Sequence, residues 1–207
     1  MSKPTTIKAI IFDFGGVLLR TQTRHYRTAW DDKLGLEPGQ FEDHIFNGPV
    51  GTAAQLGRAT WDDVWNQAGE YFGLTSAEVQ RARADFFKGD AFDETLADYI
   101  RRLKGQQYTT GLLSNTWYTD GAQLLSAYHL TDAFDVWVTS AEVGVMKPDA
   151  QIFQIALERT NTRPEETVFV DDFAHNIQAA QALRIQTVHY TDPVAGQQEL
   201  VALTGVE

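Results

Sequence analysis

The sequence predicts an α/β protein: a doubly wound parallel sheet, interrupted after its first strand by a block of helices. Three observations carry this reading. Short apolar strands alternate with helical patterns from about residue 96 to residue 190. The segment from about residue 21 to residue 89 keeps helical spacing and has almost no strand signal. The strands end on chemically unusual residues, and in such sheets ligands bind beyond the carboxyl ends of the strands.

The elements follow in order. Residues 7–12 form a short, continuous, β-branched apolar run that stops at Asp13, with Gly15 and Gly16 close behind. A lone ionised carboxylate at the end of a buried strand loses much hydration, so it calls for a partner or a purpose. In the helical block, Thr60 with Asp63 and Thr75 with Glu78 have the capping-box spacing of a helix start. Trp61, Val64, Trp65 and Ala68 recur at helical spacing and read as core. Helices are expected over 96–103, 122–128, 149–159 and 177–183. Strands are expected over 109–113, 136–139, 167–170 and 187–190, and His189 reads as strand filler within the last. The division is a core of residues 1–20 and 90–207 and a helical insertion of 21–89.

Composition narrows the function. The chain has 207 residues, 43% of them apolar, and a net charge of −11 from 28 acidic and 17 basic side chains. Nucleic acids and anionic membranes ask for clustered Lys and Arg, so neither is an expected partner. The absence of cysteine excludes disulfides and thiolate metal sites. Lys3 and Lys8 precede apolar residues, but Asp13 cuts that run too early for a secretory signal. No stretch approaches the ~20 apolar residues of a membrane span. The expectation is a cytoplasmic protein acting on a small molecule, and the oligomeric state is unreadable.

The strand ends carry the chemistry. The first ends at Asp13, the second at Ser114-Asn115, the third leads to Lys147-Pro148-Asp149, and the fourth ends at Asp171-Asp172. Any one of these polar groups reads as a turn or cap. A carboxylate, a hydroxyl, an ammonium and a carboxylate pair in this order do not. The set, D-F-G-G-V-L at 13–18, L-L-S-N-T at 112–116, K-P-D at 147–149 and F-V-D-D-F-A-H-N at 169–176, resembles the haloacid dehalogenase superfamily of hydrolases. Within it, the variants are similar to the branch of sugar-phosphate phosphatases and the phosphatase-like domain of soluble epoxide hydrolases. The resemblance implies a Rossmann-like catalytic core and makes residues 21–89 a helical cap.

It also implies roles. Asp13 is the nucleophile, with Ser114 and Lys147 as its catalytic partners. Asp13, the carbonyl of Gly15 and Asp172 hold Mg²⁺. Ser114, the N–H of Asn115 and Lys147 bind the phosphoryl group, Ser114 and Asn115 near a helix start. Asp171 braces Lys147 or a metal-bound water, and Asn176 orients Asp172. The implied reaction is hydrolysis of a small phosphomonoester, such as a sugar phosphate, through an aspartyl phosphate. The glycines at 15 and 16 let the backbone turn and approach metal and phosphate.

One departure stands out. Most phosphatases of the family carry a second Asp two residues after the nucleophile, as the acid that protonates the leaving alcohol. Gly15 stands there. Three readings are open: a good leaving group, a substitute that is either water or a cap residue among Arg24, His25 and His44, or weak catalysis in a phosphate-binding or regulatory protein. The dehalogenases also lack that Asp and need no Mg²⁺, so dehalogenation is the alternative reaction. The Asp171-Asp172 pair favours a metal and therefore phosphorus. Trp117 and Tyr118 read equally as pocket lining and as packing, and His175 as surface.

Overall fold

The computed structural model describes residues 6–207; residues 1–5, with Lys3, lie outside the described residues. The elements run β1 (Ala9–Phe12), β2 (Leu19–Thr21), α1 (His25–Leu34), α2 (Gln40–Asn47), α3 (Pro49–Gln55), α4 (Trp61–Phe72), α5 (Ser76–Phe86), β3 (Asp90–Phe92), α6 (Glu94–Gly105) and β4 (Thr109–Ser114). They continue with α7 (Gly121–Ala127), β5 (Val136–Thr139), α8 (Ser140–Val143), α9 (Ala150–Thr160), β6 (Thr167–Asp171), α10 (Ala174–Ala182), β7 (Gln186–His189) and α11 (Pro193–Thr204).

The main sheet is parallel throughout, in the order β5-β4-β1-β6-β7. Side chains alternate across it. Ile10, Phe12, Leu112, Val168 and Val170 face α6, α7 and α11, while Ile11, Leu113, Val138 and Phe169 face α9 and α10. Both faces are covered, so the strands read as unbroken apolar runs. β1 lies in the middle, with β4 and β6 beside it. Its carboxyl end is therefore flanked by the ends of the strands that carry Ser114 and Asp171.

Helices α1 to α5 form their own core of Trp30, Phe41, Ile45, Val64, Trp65 and Phe86. The two expected capping boxes start α4 and α5, each with reciprocal side-chain and backbone bonds. Trp117 leaves the β4 end and packs into this second core, stacked on Trp61 with ring centres 3.8 Å apart and planes 8° from parallel. It is packing that ties the Ser114 loop to the inserted helices.

Four elements depart from expectation. β2 and β3 pair as a short antiparallel ribbon at the two ends of the helical block, and strands of three residues leave no periodic signal. The four-residue α8 is too short to leave one either. α11 escapes the sequence reading because its apolar pattern is weak, although Asp192 caps it and Pro193 occupies its first turn.

Candidate active site

Four groups meet at the carboxyl ends of the central strands. Asp13 follows β1, and its N–H still donates to the Val170 carbonyl at 2.8 Å. Its side chain is buried, and the residue is 5% exposed. Oδ1 accepts from its neighbour's N–H, Phe14, at 2.7 Å. Lys147 Nζ lies 2.8 Å from the same oxygen and 2.7 Å from Asp171 Oδ2. Lys147 thus sits buried between two carboxylates. Its place is fixed by Asn115: the Lys147 N–H donates to Asn115 Oδ1 at 2.8 Å, and Asn115 Nδ2 donates to the Lys147 carbonyl at 2.9 Å. The end of β4 therefore places the ammonium. Ser114, the last residue of that strand, is buried as well.

Asp171 and Asp172, adjacent in sequence, have opposite surroundings. Asp171 is fully buried, and its oxygens accept from Lys147, from the Phe173 N–H at 2.8 Å and from Asn176 Nδ2 at 3.0 and 3.1 Å. Asp172 Oδ1 is buried with no hydrogen-bond partner among the described residues. Buried polar atoms are rarely left unpaired, and each exception needs a cause. Ligand oxygens of Asp13, Asp171 and Asp172 all lie within 4.8 Å of one another. Hard carboxylate oxygens, one of them unpartnered, fit a small divalent cation.

Burial pushes the Asp13 carboxyl up to about 8, against the pull of Lys147 and with added repulsion from Asp171 and Asp172. Burial and Asp171 push Asp172 up to about 6. Burial alone would lower Lys147, but Asp13 and Asp171 outweigh it and hold the ammonium protonated. A carboxyl raised above its ordinary 3.8 keeps a proton that the unfolded chain has lost. The fold then binds more protons than the unfolded chain between about pH 4 and 8, and stability falls as pH rises through that window. With metals chelated, the melting temperature should therefore drop from about pH 5 to about pH 8, and Asp13→Asn should flatten the drop. Calorimetry across that range checks both. A melting temperature that rises with pH would contradict the burial of unneutralised charge.

The structure corrects three expectations. Asn176 does not orient Asp172; its amide N–H donors are spent on the two oxygens of Asp171. Ser114 and Asn115 do not stand at a helix start, because the chain runs on to Gly121 before α7 begins. The glycine that needs its conformational freedom is Gly16, at φ +79°, where a Cβ would overlap the Asp172 carboxylate; around Gly15 the space is open. The cap candidates have contacts of their own. Arg24 pairs with Glu42, His25 lies against Tyr26, and His44 bonds Gln67 and stacks on Tyr71. The structure does bring Asp13, Lys147, Asp171 and Asp172 together, with Ser114 buried at the end of the neighbouring strand, and it adds His189, whose Nε2 meets the Asp172 carbonyl at 2.9 Å.

This arrangement agrees with three comparisons. The profile of the haloacid dehalogenase-like hydrolases matches residues 7–184. The chain is 32% identical to a sesquiterpene phosphatase of Aspergillus oryzae over 97% of this chain and 98% of that one. It is 36% identical to an (S)-2-haloacid dehalogenase of a Pseudomonas species over 88% and 83%. A crystal structure of a related enzyme of Bacteroides thetaiotaomicron, a magnesium complex, superposes with a TM-score of 0.70 at 26% identity, covering 90% of this chain and 93% of that one. Sequence profile, strand-end chemistry and fold lead to one conclusion: the chain belongs to the haloacid dehalogenase-like hydrolases.

Proposed function

We propose that the chain is a Mg²⁺-dependent phosphatase that hydrolyses a small phosphomonoester through an aspartyl phosphate on Asp13. One observation carries the reading: Asp13 and Asp171 are held by Lys147, while Asp172 beside them keeps a buried oxygen unpartnered among the described residues. A cation is what such an oxygen fits, and displacement of halide from carbon calls for none. The magnesium complex of the Bacteroides relative and the phosphatase from Aspergillus support the same reading.

Oδ1 of Asp13 is held by Lys147 and the Phe14 N–H, which leaves the other oxygen, Oδ2, for attack on phosphorus. Its electron pair forms the new P–O bond while the ester P–O bond breaks and the leaving oxygen departs with that bond's electrons, taking its proton from solvent water. Water then attacks phosphorus, releasing inorganic phosphate and restoring the carboxylate. Lys147 offsets charge on the phosphoryl oxygens, and Ser114 with the Asn115 N–H holds one of them. Asp13, the Gly15 carbonyl and Asp172 would hold Mg²⁺, which supplies charge neutralisation between carboxylate and phosphate. Asp171 stays with Lys147. Residues 21–89 serve as the cap over a core of 1–20 and 90–207, excluding water and selecting the alcohol.

No helix among the described residues is long and apolar enough to cross a membrane. A cytoplasmic location and a soluble sugar phosphate or similar metabolite as substrate belong to this proposal.

Chelation should silence the enzyme and Mg²⁺ should restore it. The two aspartates should then fail differently. Asp172→Ala should weaken Mg²⁺ binding in a protein that remains folded. Asp171→Ala leaves Lys147 paired with Asp13 but takes the acceptor from the Phe173 N–H and the Asn176 amide, and should cost about 1–3 kcal/mol of stability. Calorimetry and Mg²⁺ titration separate the two. A screen over phosphorylated sugars and isoprenyl phosphates, run beside a 2-haloacid assay in chelator, identifies the substrate. Haloacid turnover in excess chelator, without phosphatase activity, would establish the dehalogenase alternative.

A further inference from the structure

Asp171 is gripped by four hydrogen bonds, but the side chain of its neighbour Asp172 takes none on Oδ1. Something else must aim the Asp172 carboxylate. The Cα–Cβ bond that carries it is placed by its own peptide, and that peptide must itself be held. Up to Asp171 the sheet holds the chain: the Asp171 carbonyl accepts from the Tyr190 N–H at 2.9 Å. There β6 ends, and Asp172 lies in the short turn before α10 begins at Ala174. The Asp172 carbonyl is beyond the reach of the backbone ladder.

It is caught by a side chain instead. His189 is the last residue of β7, in register with Asp171, and its Nε2 lies 2.9 Å from the Asp172 carbonyl. A carbonyl oxygen only accepts, so Nε2 carries the proton in this bond. The imidazole extends the β6–β7 pairing by one hydrogen bond past the strand ends. On the other side, the Asp172 carboxylate lies against Gly16, where no Cβ would fit. The residue is thus held by its carbonyl on one side and by the glycine turn on the other.

We propose that His189 is a positioning residue for Asp172: its Nε2–H fixes the peptide that aims this carboxylate at the cation. The inference rests on the metal reading of the site. Magnesium tolerates little departure from octahedral geometry. Partners that orient a ligand are typically worth about 10–100-fold in metal affinity.

The test uses Mg²⁺ alone, titrated by calorimetry into the wild type, His189→Ala, His189→Gln and Asp172→Ala. His189→Ala should bind Mg²⁺ about 10–100-fold more weakly. At saturating Mg²⁺ its kcat should stay within a few-fold of the wild type, because His189 touches no reacting atom. His189→Gln places an amide N–H near the position of Nε2 and should recover most of the affinity. A merely structural hydrogen bond would lower the melting temperature and leave Mg²⁺ affinity alone. Wild-type affinity in His189→Ala, or a His189→Gln no better than Ala in a folded protein, overturns the role. If the wild type binds Mg²⁺ no better than Asp172→Ala, the metal reading itself is wrong and this inference falls with it.

Discussion

Asp13→Asn should remove phosphatase turnover, by at least about 10⁴-fold in kcat, in a protein that stays folded. An amide oxygen can still accept from the Phe14 N–H and from Lys147, the two bonds that now reach Oδ1. What the amide lacks is the anionic Oδ2 that would attack phosphorus. The substitution also removes a charge that burial disfavours. With metals chelated at about pH 8, the variant should therefore melt no lower than the wild type. The two measurements together are decisive. Loss of turnover with retained or raised stability assigns the nucleophile. Loss of both would mean that Asp13 is needed to balance Lys147 and would say nothing of attack. Near wild-type turnover in the variant would end the aspartyl-phosphate mechanism.

What a sequence discloses depends on how local each signal is. The strand ends are legible because an apolar run that stops on Asp13 or Asp171 is a contradiction within a few residues. The capping boxes at Thr60 and Thr75 are legible for the same reason. The roles within the Asp171-Asp172 pair are left to resemblance, since spacing alone cannot rank them. Their geometry depends on donors from residues 147, 173 and 176, which only the fold assembles. His189 is hidden by its own strand. Alternation explains a residue at 189 as strand filler, and nothing local says that the ring reaches past the strand end to the next strand's turn. Gly15 and Gly16 look equivalent as letters. Only backbone torsion and the position of Asp172 separate the one that must be glycine from the one that need not be.

That difference makes the missing acid testable. Without a carboxyl two residues after Asp13, the departing alcohol must carry more negative charge in the transition state. The wild-type rate should therefore depend steeply on the leaving group, with nitrophenyl or anomeric phosphates far ahead of primary alkyl phosphates. Each tenfold gap corresponds to about 1.4 kcal/mol of barrier. Gly15→Asp should fold, because a Cβ at Gly15 meets nothing within 4 Å, and it leaves the backbone carbonyl in place. The new carboxyl should raise the rate with alkyl phosphates by about 10²–10⁴-fold, the usual worth of general acid catalysis. It should raise the rate with nitrophenyl phosphate much less, so the plot of rate against leaving-group pKa should flatten. Gly15→Asn has nearly the same shape and no carboxylic proton to give, and should keep the wild-type slope. Gly16→Ala is the opposite control: at φ +79° its methyl would drive into the Asp172 carboxylate, and Mg²⁺ affinity should collapse. The measurement is the leaving-group series under conditions where chemistry limits kcat. A flat wild-type plot would show that the cap or a water already donates the proton. A folded Gly15→Asp with the wild-type slope would show that a carboxyl at this position does not reach the leaving oxygen. In either case the glycine at position 15 would not be what sets the enzyme's demand for a good leaving group.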